Sequence, residues 1–436
     1  MKKLLVALLL LCVSLTTVFA GGSAEAKPAA STSNEPIKIG YTSYLTGAYA
    51  AYMVWSRAGV NMAVKEINDA GGINGRPIEL VIKDLGGADV ATAMSRLDEM
   101  KEAGCVAIMT TTTTNAAQWA SENEFPVVLT NNISTKETIV NYNDYTFFCG
   151  LNAWGISKMI ANETVAKLGY KNFTYIGVDQ DCTVDAKNLL VYEGKKINPA
   201  FEMLEDYTMN YDDDKYATII STLMSGKGKE PDFILQQGGG ATFSGLVNQG
   251  NMYNMYSKYD IYTDLTVEAS AVDSLIETNS YPFGHIHGIS ILQWWDLDNP
   301  EIKAWIDRYH EVSKEVIGQQ LEPSDSSFYC YLGMKSILNA IKACAESGKD
   351  FTKAEVLCEA LCNATSTDFQ GEHHFRDFDH QLTYDAYYVT GVDGGAAFNG
   401  RAIGGNTIRY TAEEWLPAFE DMVIYANQLG YPNRFK

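Results

Sequence analysis

The sequence predicts a two-lobed α/β protein whose sheets are built from parallel strands. Short β-rich runs alternate along the chain with helical stretches, which is typical of βαβ units that form a parallel sheet. This alternation runs through the first third of the chain and then starts again. At 436 residues the chain also exceeds the usual size of one domain. Two similar halves in series, with a cleft between them, are therefore the expected architecture.

The first half begins with a strand at 36–41, in which apolar residues occupy alternate positions. A helix is predicted at 52–70, because Val60, Val64 and Ile67 recur at helical spacing. Gly71 then ends this helix, as a residue at positive φ commonly does. The elements that follow are strands at 79–84, 105–109 and 126–129 and helices at 88–103 and 115–124.

The second half repeats the pattern after about residue 150. Its predicted strands lie at 173–178, 232–235, 259–262, 288–292 and 384–390. Its predicted helices lie at 158–168, 186–196, 216–224, 243–249, 300–317 and 327–345, with an amphipathic terminal helix at 413–429. Ligands of open α/β sheets bind beyond the carboxyl ends of the strands, so the candidate site is sought in those loops.

The N-terminus has the pattern of a secretory signal peptide. Lys2 and Lys3 precede an apolar run at 4–13, and a small-residue cleavage site predicts processing after Ala20. Residues 21–35 are rich in Gly, Ala, Ser and Pro and predict a flexible spacer. No later segment supplies the roughly 20 apolar residues of a membrane helix. A soluble protein in the periplasm, or otherwise outside the cytoplasmic membrane, is therefore expected.

The net charge of the mature chain excludes nucleic acid as a partner. Loss of Lys2 and Lys3 leaves 31 basic against 54 acidic residues, a net charge of −23, which repels nucleic acid.

The pairing of the cysteines stays open. Seven cysteines remain without Cys12, and an odd number leaves at least one thiol unpaired. A disulfide among Cys344, Cys358 and Cys362 and buried thiols acting as small hydrophobic groups are both open.

Four segments carry a family resemblance. They are IKIG at 37–40, LTG at 45–47, AVKEIN at 63–68 and AGGINGRPI at 70–78. Together they resemble the type I periplasmic binding proteins of the branched-chain amino acid transporter group, which includes the Leu/Ile/Val-binding proteins. Weaker similarity extends from about residue 36 to residue 391.

The resemblance implies two Rossmann-like lobes joined by a three-segment hinge and closing around a ligand. Mapped onto this chain, the first lobe holds 36–149 and 290–366, the second holds 150–289 and 367–412, and 413–436 form a C-terminal helix. It also implies a monomer that hands an amino acid, amide or small organic acid to an ABC transporter permease, with no cofactor. A soluble sensory module that presents ligand to a chemoreceptor or sensor kinase is the alternative.

In the first lobe, hydroxyl residues are the candidate ligand contacts. The threonine run at 110–114 lies between a strand and a helix, where hydroxyls and free N–H groups suit a carboxylate. The resemblance implies this role for Thr111, Thr112 or Thr113, and simple helix capping is the alternative. It also implies that Ser134 or Thr135 holds the ligand ammonium. Tyr52, with Tyr49 as a rival, matches a tyrosine that lines the cleft.

In the second lobe, the candidates are Asp181, Gly239 and Asp264. Asp181, with Thr183 as the alternative, follows a predicted strand. Gly239 follows another, and relatives that bind branched-chain amino acids carry an aromatic residue there. Asp264 lies near a family acid that neutralises the ligand ammonium, with Glu268 as the competing assignment. Trp294 and Trp295 stack on the ligand or pack in the core.

Catalytic and metal-binding patterns do not emerge from the sequence. It contains no Gly-x-Ser-x-Gly elbow, no His-Glu-x-x-His and no phosphate-binding loop ending in Gly-Lys-Ser/Thr. The pairs His373-His374 and His285-x-His287 lack the three or four converging ligands of a zinc site. The sequence therefore predicts a binding protein and not an enzyme, and no metal.

Overall fold

The computed structural model describes residues 35–46, 50–86, 89–111, 114–130, 133–210, 215–239, 241–432 and 434–435. The predicted signal peptide and all but the last residue of the predicted spacer lie outside these ranges. The first sheet is fully parallel, in the order β2-β1-β3-β4-β5. Its strands are β1 Ile37–Ser43, β2 Ile78–Asp84, β3 Ile108–Thr110, β4 Val127–Leu129 and β5 Thr146–Phe148.

Helices cover both faces of this sheet, which is why β3 and β4 are buried at every position. Alternate residues point to opposite faces: Ile108 packs with α2 Val90–Glu102 and α3 Thr114–Asn123, whereas Met109 faces the larger core on the other side. That larger core is formed with α1 Ala50–Asp69, α9 Pro300–Ile317, α10 Asp325–Ser347 and α11 Ala354–Asn363.

The second sheet has seven strands in the order β14-β13-β10-β9-β8-β6-β7. Five run parallel: β6 Asn172–Val178, β7 Glu202–Met209, β8 Phe233–Gln237, β9 Ile261–Thr263 and β10 Ile286–Ser290. An antiparallel pair, β13 Ala386–Asp393 and β14 Ala402–Tyr410, extends one edge. The helices of this lobe are α4 Ala153–Ala161, α5 Asp181–Ile197, α6 Tyr216–Met224, α7 Ala241–Met252 and α8 Ala269–Glu277.

The chain passes between the two lobes three times, and the crossings are bonded to one another. Phe148 donates its amide to the His380 carbonyl (2.9 Å) and accepts from the Leu382 amide (2.7 Å), which joins the first crossing to the third. The side chain of Gln370 donates to the Ile291 carbonyl (2.5 Å) and so ties in the second. The predicted fold class is confirmed, while the residue limits of the lobes stay predictions.

The C-terminal region differs from the single helix predicted at 413–429. A short turn, α12 Ala412–Trp415, is separated from α13 Phe419–Gln428 by Leu416, Pro417 and Ala418. Proline has no amide hydrogen and disfavours helical geometry in the preceding residue, so one continuous helix is excluded there. The strand predicted at 384–390 is β13, and a hairpin of β11 Ser366–Asp368 and β12 Gly371–His373 precedes it.

All seven cysteines after Cys12 are unpaired thiols, and five of them are buried. Of the two alternatives left open for Cys344, Cys358 and Cys362, the structure therefore has unpaired thiols that pack as small hydrophobic groups and not a disulfide. In the part of the chain that the structure describes, no helix has both the length and the apolarity needed to cross a bilayer.

Close packing of α1 against α10 positions the cleft side of the first lobe and can be tested at Gly59. A Cβ added there would lie 2.1 Å from the Ser327 carbonyl oxygen. We expect Gly59→Ala to lower the free energy of unfolding by about 1–3 kcal/mol, because a well-packed contact must open. Urea denaturation measures this. Gly228→Ala is the control, since its Cβ meets no described atom within 4 Å, and equal losses in both variants would contradict the close contact.

Candidate functional site

Polar residues gather at the carboxyl ends of β3 and β4 in the first lobe. The hydroxyls of Thr42 and Thr110 are hydrogen-bonded to each other (2.6 Å), and the Thr110 carbonyl accepts from the Thr130 amide (3.0 Å). Thr111 is buried, and its hydroxyl has no hydrogen-bond partner among the described residues. A buried polar group without a partner is costly, so Thr111 is the residue of this edge that is chemically ready for a ligand atom.

Ser134 is held by a buried carboxylate. Glu137 accepts hydrogen bonds from the Ser134 amide (2.8 Å) and hydroxyl, and from the hydroxyl of Thr114 at the start of α3. The bond from the Ser134 amide to Glu137 is one half of the Ser-x-x-Glu capping pattern. The π-helical turn that follows, at Lys136–Val140, has no side-chain cap from its preceding residue Thr135. Because Ser134 donates its hydroxyl proton to Glu137, its oxygen remains an acceptor.

Thr135 and Lys136 contact the second lobe at the start of α5. The Thr135 hydroxyl donates to Asp185 (2.7 Å), and Lys136 forms an ion pair with Asp181 (3.0 Å). Asp181 also accepts from Thr114 (3.1 Å). Burial raises the pKa of Asp185 to about 6, and the neighbouring negative charge of Glu137 adds to this rise. The hydrogen bonds from Thr135 act in the opposite direction. Acid–hydroxyl pairs therefore join the two lobes on this side.

In the second lobe, the ends of β8 and β9 present amide and carboxylate groups. The side-chain nitrogen of Gln237 is buried without a hydrogen-bond partner among the described residues. Gly238 has a φ of 111°, and a Cβ there would meet Val178 at 2.8 Å, so the turn requires glycine. A Cβ at Gly239 would make only an ordinary contact with Leu265 (3.9 Å). The glycine at 239 thus leaves open space where a larger side chain is sterically acceptable.

Three buried acids lie where the second lobe meets the second crossing. Asp325, at the start of α10, accepts from the Ser290 hydroxyl (2.8 Å) and the amides of Ile291 (3.0 Å) and Leu292 (3.1 Å). Its own amide donates to Glu268 (3.0 Å). Burial raises the pKa of Asp325, and the charge of the nearby Asp264 adds to this shift. The region therefore holds a concentration of buried negative charge.

The structure brings some of the predicted residues together and leaves others aside. Ser134, Thr135 and Asp181 lie in one bonded network, and Asp264 lies beside the Asp325 group. Thr112, Thr113 and the side chain of Tyr52 lie outside what the structure describes. Trp294 and Trp295 pack together edge to face, with Arg401 over Trp294 and Gly404 against Trp295, which is the core alternative.

Sequence reasoning missed Glu137, Asp185 and Asp325. The Ser134-x-x-Glu137 capping pattern was a usable signal for the first of these. The histidines that suggested metal are used structurally: His373 contacts the Thr383 carbonyl (2.9 Å) and Asp368 (2.8 Å). Within the described ranges, no group of three His, Cys, Asp or Glu side chains is arranged to hold a metal ion.

Known proteins resemble this chain in sequence and in fold. A sequence model described as periplasmic binding protein matches residues 36–396. A search of curated proteins finds no match. Among solved structures, the closed leucine-, isoleucine-, valine-, threonine- and alanine-binding protein from Brucella ovis has a TM-score of 0.72 at 17% identity, covering 88% of this chain and 97% of its own.

Two further structures have different ligands. The branched-chain amino acid transporter substrate binding protein LivJ from Streptococcus pneumoniae, in complex with isoleucine, has a TM-score of 0.68 at 22% identity, covering 86% of this chain and 100% of its own. An ABC transporter solute binding protein from R. palustris, in complex with benzoate, has a TM-score of 0.69 at 16% identity, covering 87% and 98%. At these identities the likeness concerns the fold.

The raised pKa of Asp185 predicts a pH dependence of stability. Its carboxyl is protonated below about pH 6 in the folded chain but only below about pH 3.8 when unfolded. The folded state therefore binds more protons between these values, so this group lowers stability as pH rises through that window. We expect Asp185→Asn, which keeps an acceptor for Thr135, to reduce the loss of melting temperature between pH 4 and pH 6.

The control for this measurement is Asp350→Asn. Hydrogen bonds from Thr352 lower the pKa of Asp350, so it is ionised throughout the same window. Its variant should follow the wild-type pH profile. A wild-type profile in Asp185→Asn as well would contradict the raised pKa.

Proposed function

The chain belongs to the periplasmic binding protein family, and from this premise we propose that it captures a small polar ligand between its lobes and delivers it to an ABC transporter permease. The observation that carries the proposal is a pair of buried polar groups without partners among the described residues. The Thr111 hydroxyl lies at the strand ends of the first lobe, and the Gln237 amide nitrogen lies at those of the second. Polar groups of this kind, one from each lobe, suit a ligand held from both sides.

The surrounding chemistry supports a ligand with separated charges, such as an amino acid, or an amide or related carboxylate. A charge that leaves water must be matched by hydrogen bonds, or its desolvation opposes binding. Hydroxyls near Thr111, Thr112 and Thr113 suit a carboxylate, while Asp264 and the hydroxyl oxygens of Ser134 and Thr135 suit an ammonium. Open space at Gly239 argues against a site shaped only for a branched aliphatic side chain.

Export and assembly are part of the same proposal. We propose cleavage after Ala20, release into the periplasm and function as a monomer. Two structural relatives were solved in complex with isoleucine and with benzoate, so amino acids and small aromatic acids are the first compounds to test.

A thermal-shift screen of ligand-free mature protein tests the function. A ligand present at about a hundredfold its dissociation constant should add roughly 2.7 kcal/mol to the free energy of unfolding, which raises the melting temperature by several degrees. The screen should contain amino acids, amides, ureas and small organic acids. A melting temperature that no compound raises would contradict capture of a small polar ligand.

The variant Thr111→Val tests whether the Thr111 hydroxyl binds the ligand or stabilises the fold. Since the Thr111 hydroxyl is buried and has no described partner, its removal should not lower the unfolding free energy of the unliganded protein. Affinity for a compound found in the screen should fall by about 1–3 kcal/mol, measured by isothermal titration calorimetry. Thr110→Val is the control, because its hydroxyl is bonded to Thr42 and its loss should cost stability without any ligand. Unchanged affinity in Thr111→Val removes Thr111 from the site.

A further inference from the structure

A pocket of about 210 Å³ lies beside the carboxyl end of β1. Two of its lining residues follow β1, and the other four occupy one face of the first two turns of α1, at helical spacing. They are Tyr44, Leu45, Ala50, Met53, Val54 and Arg57. The lining is apolar apart from Tyr44 and the guanidinium of Arg57, so the charge in this pocket comes from a single arginine.

The loop that forms one wall of the pocket is held by Asp84. Its carboxylate accepts from the Leu45 amide (2.9 Å), the Thr46 amide (3.3 Å) and the Thr46 hydroxyl (2.5 Å). Although burial acts in the opposite direction, these hydrogen bonds and one from Gly86 lower the pKa of Asp84 to about 2. The carboxylate is therefore committed to the loop and is not a counter-ion for Arg57.

Arg57 differs from the other seven arginines of the chain. Its Nε is buried and has no hydrogen-bond partner among the described residues. Two arginines, Arg76 and Arg434, donate to backbone carbonyls. The other five pair with carboxylates: Arg96 with Glu99, Arg308 with Glu66, Arg376 with Asp379, Arg401 with Asp273 and Arg409 with Asp385.

The groups close to Arg57 do not neutralise it. Tyr41 is near enough to sense its charge, but burial raises the pKa of Tyr41 well above the usual range, so its phenol is neutral. A chain with 54 acidic residues has ample carboxylates to pair with every arginine. A pocket arginine that has no carboxylate partner among the described residues of such a chain points to an anion supplied from outside.

We propose that Arg57 binds a carboxylate of the ligand inside this pocket, so that the ligand is an acid whose far end lies against α1. The inference rests on the proposed function and deepens it by naming the ligand class. A planar guanidinium matches a carboxylate with two parallel hydrogen bonds, and the apolar side chains beside it accommodate a short carbon skeleton. This carboxylate is distinct from the group assigned to the threonines of β3, so ligands with two charged ends bind best.

Pairs of compounds that differ by one charge test the proposal. We would compare glutamate with glutamine, aspartate with asparagine, and terephthalate with 4-carbamoylbenzoate, using calorimetry on wild-type mature protein. In at least one pair the acid should bind about 10- to 100-fold more tightly than its amide, as expected for a charge-assisted hydrogen bond. Arg57→Gln should abolish this preference.

Arg76→Gln is the matched control. It removes the same charge from the same lobe, but Arg76 lies in the turn before β2 and donates to the Glu35 carbonyl (2.8 Å), at the opposite end of the strands. The acid preference should survive in this variant. Thermal melts followed by circular dichroism, without ligand, check that Arg57→Gln still folds. If this variant does not fold, Arg57→Lys replaces it. Arg57→Lys keeps the charge but loses the forked guanidinium, so it should reduce the preference for the acid.

The outcomes separate this inference from the function on which it rests. Acids and amides that bind wild-type protein equally, or a preference that persists in Arg57→Gln, would overturn the role of Arg57 and leave ligand capture intact. Binding confined to neutral compounds would do the same. If neither these pairs nor the wider screen contains a binding compound, both the inference and the proposed function fail.

Discussion

The buried carboxylate of Asp325 fixes the arrangement on which the candidate site depends. One oxygen accepts three hydrogen bonds from the second crossing, at 290–292, while the amide of Asp325 donates to Glu268 in the other lobe. The same residue begins α10, which packs closely along α1 at Gly59. A single buried acid thus ties the hinge, the helix layer of the first lobe and the rim of the second lobe together. Because burial raises its pKa, this link is sensitive to the charges around it.

Charge is distributed unequally across the cleft. The second lobe and the crossing contribute Asp264, Glu268 and Asp325. The first lobe contributes hydroxyls at its strand ends, the buried carboxylate of Glu137 and, in the pocket beside β1, Arg57. In a buried setting each such charge favours the opposite charge on a ligand. Under the proposed function, a ligand with an ammonium and a carboxylate is oriented with its carboxylate towards Arg57 and its ammonium towards Asp264. The same asymmetry disfavours the reversed orientation of the ligand, so the placement of charge contributes to selectivity independently of the shape of the site.

Sequence patterns predicted the parallel core well and the edges poorly. β3, β4 and β8 are covered on both faces, so their continuous apolar runs identify them. β7 and β14 escaped prediction because they are exposed and polar along most of their length, as edge strands often are. For the site, strand ends located Thr111 and Asp264 correctly at the carboxyl edges. Asp325 and Arg57 were not predicted as site residues. Asp325 contacts residues far away in sequence, and Arg57 stands out only because its Nε has no described partner, so the sequence pattern identifies neither.

The contacts between the lobes on the side of α5 are polar, and those that are exposed are individually weak. Lys136 and Asp181 are 48% and 46% exposed, and an ion pair of this kind contributes about 0–1 kcal/mol. The hydrogen bonds of Thr114 and Thr135 to acids of α5 replace bonds that water would make, so their net contribution is also modest. Under the proposed function, a ligand that satisfies Thr111 and Gln237 from both sides would interact fully only with the lobes closed, and that difference in affinity would shift the equilibrium towards closure.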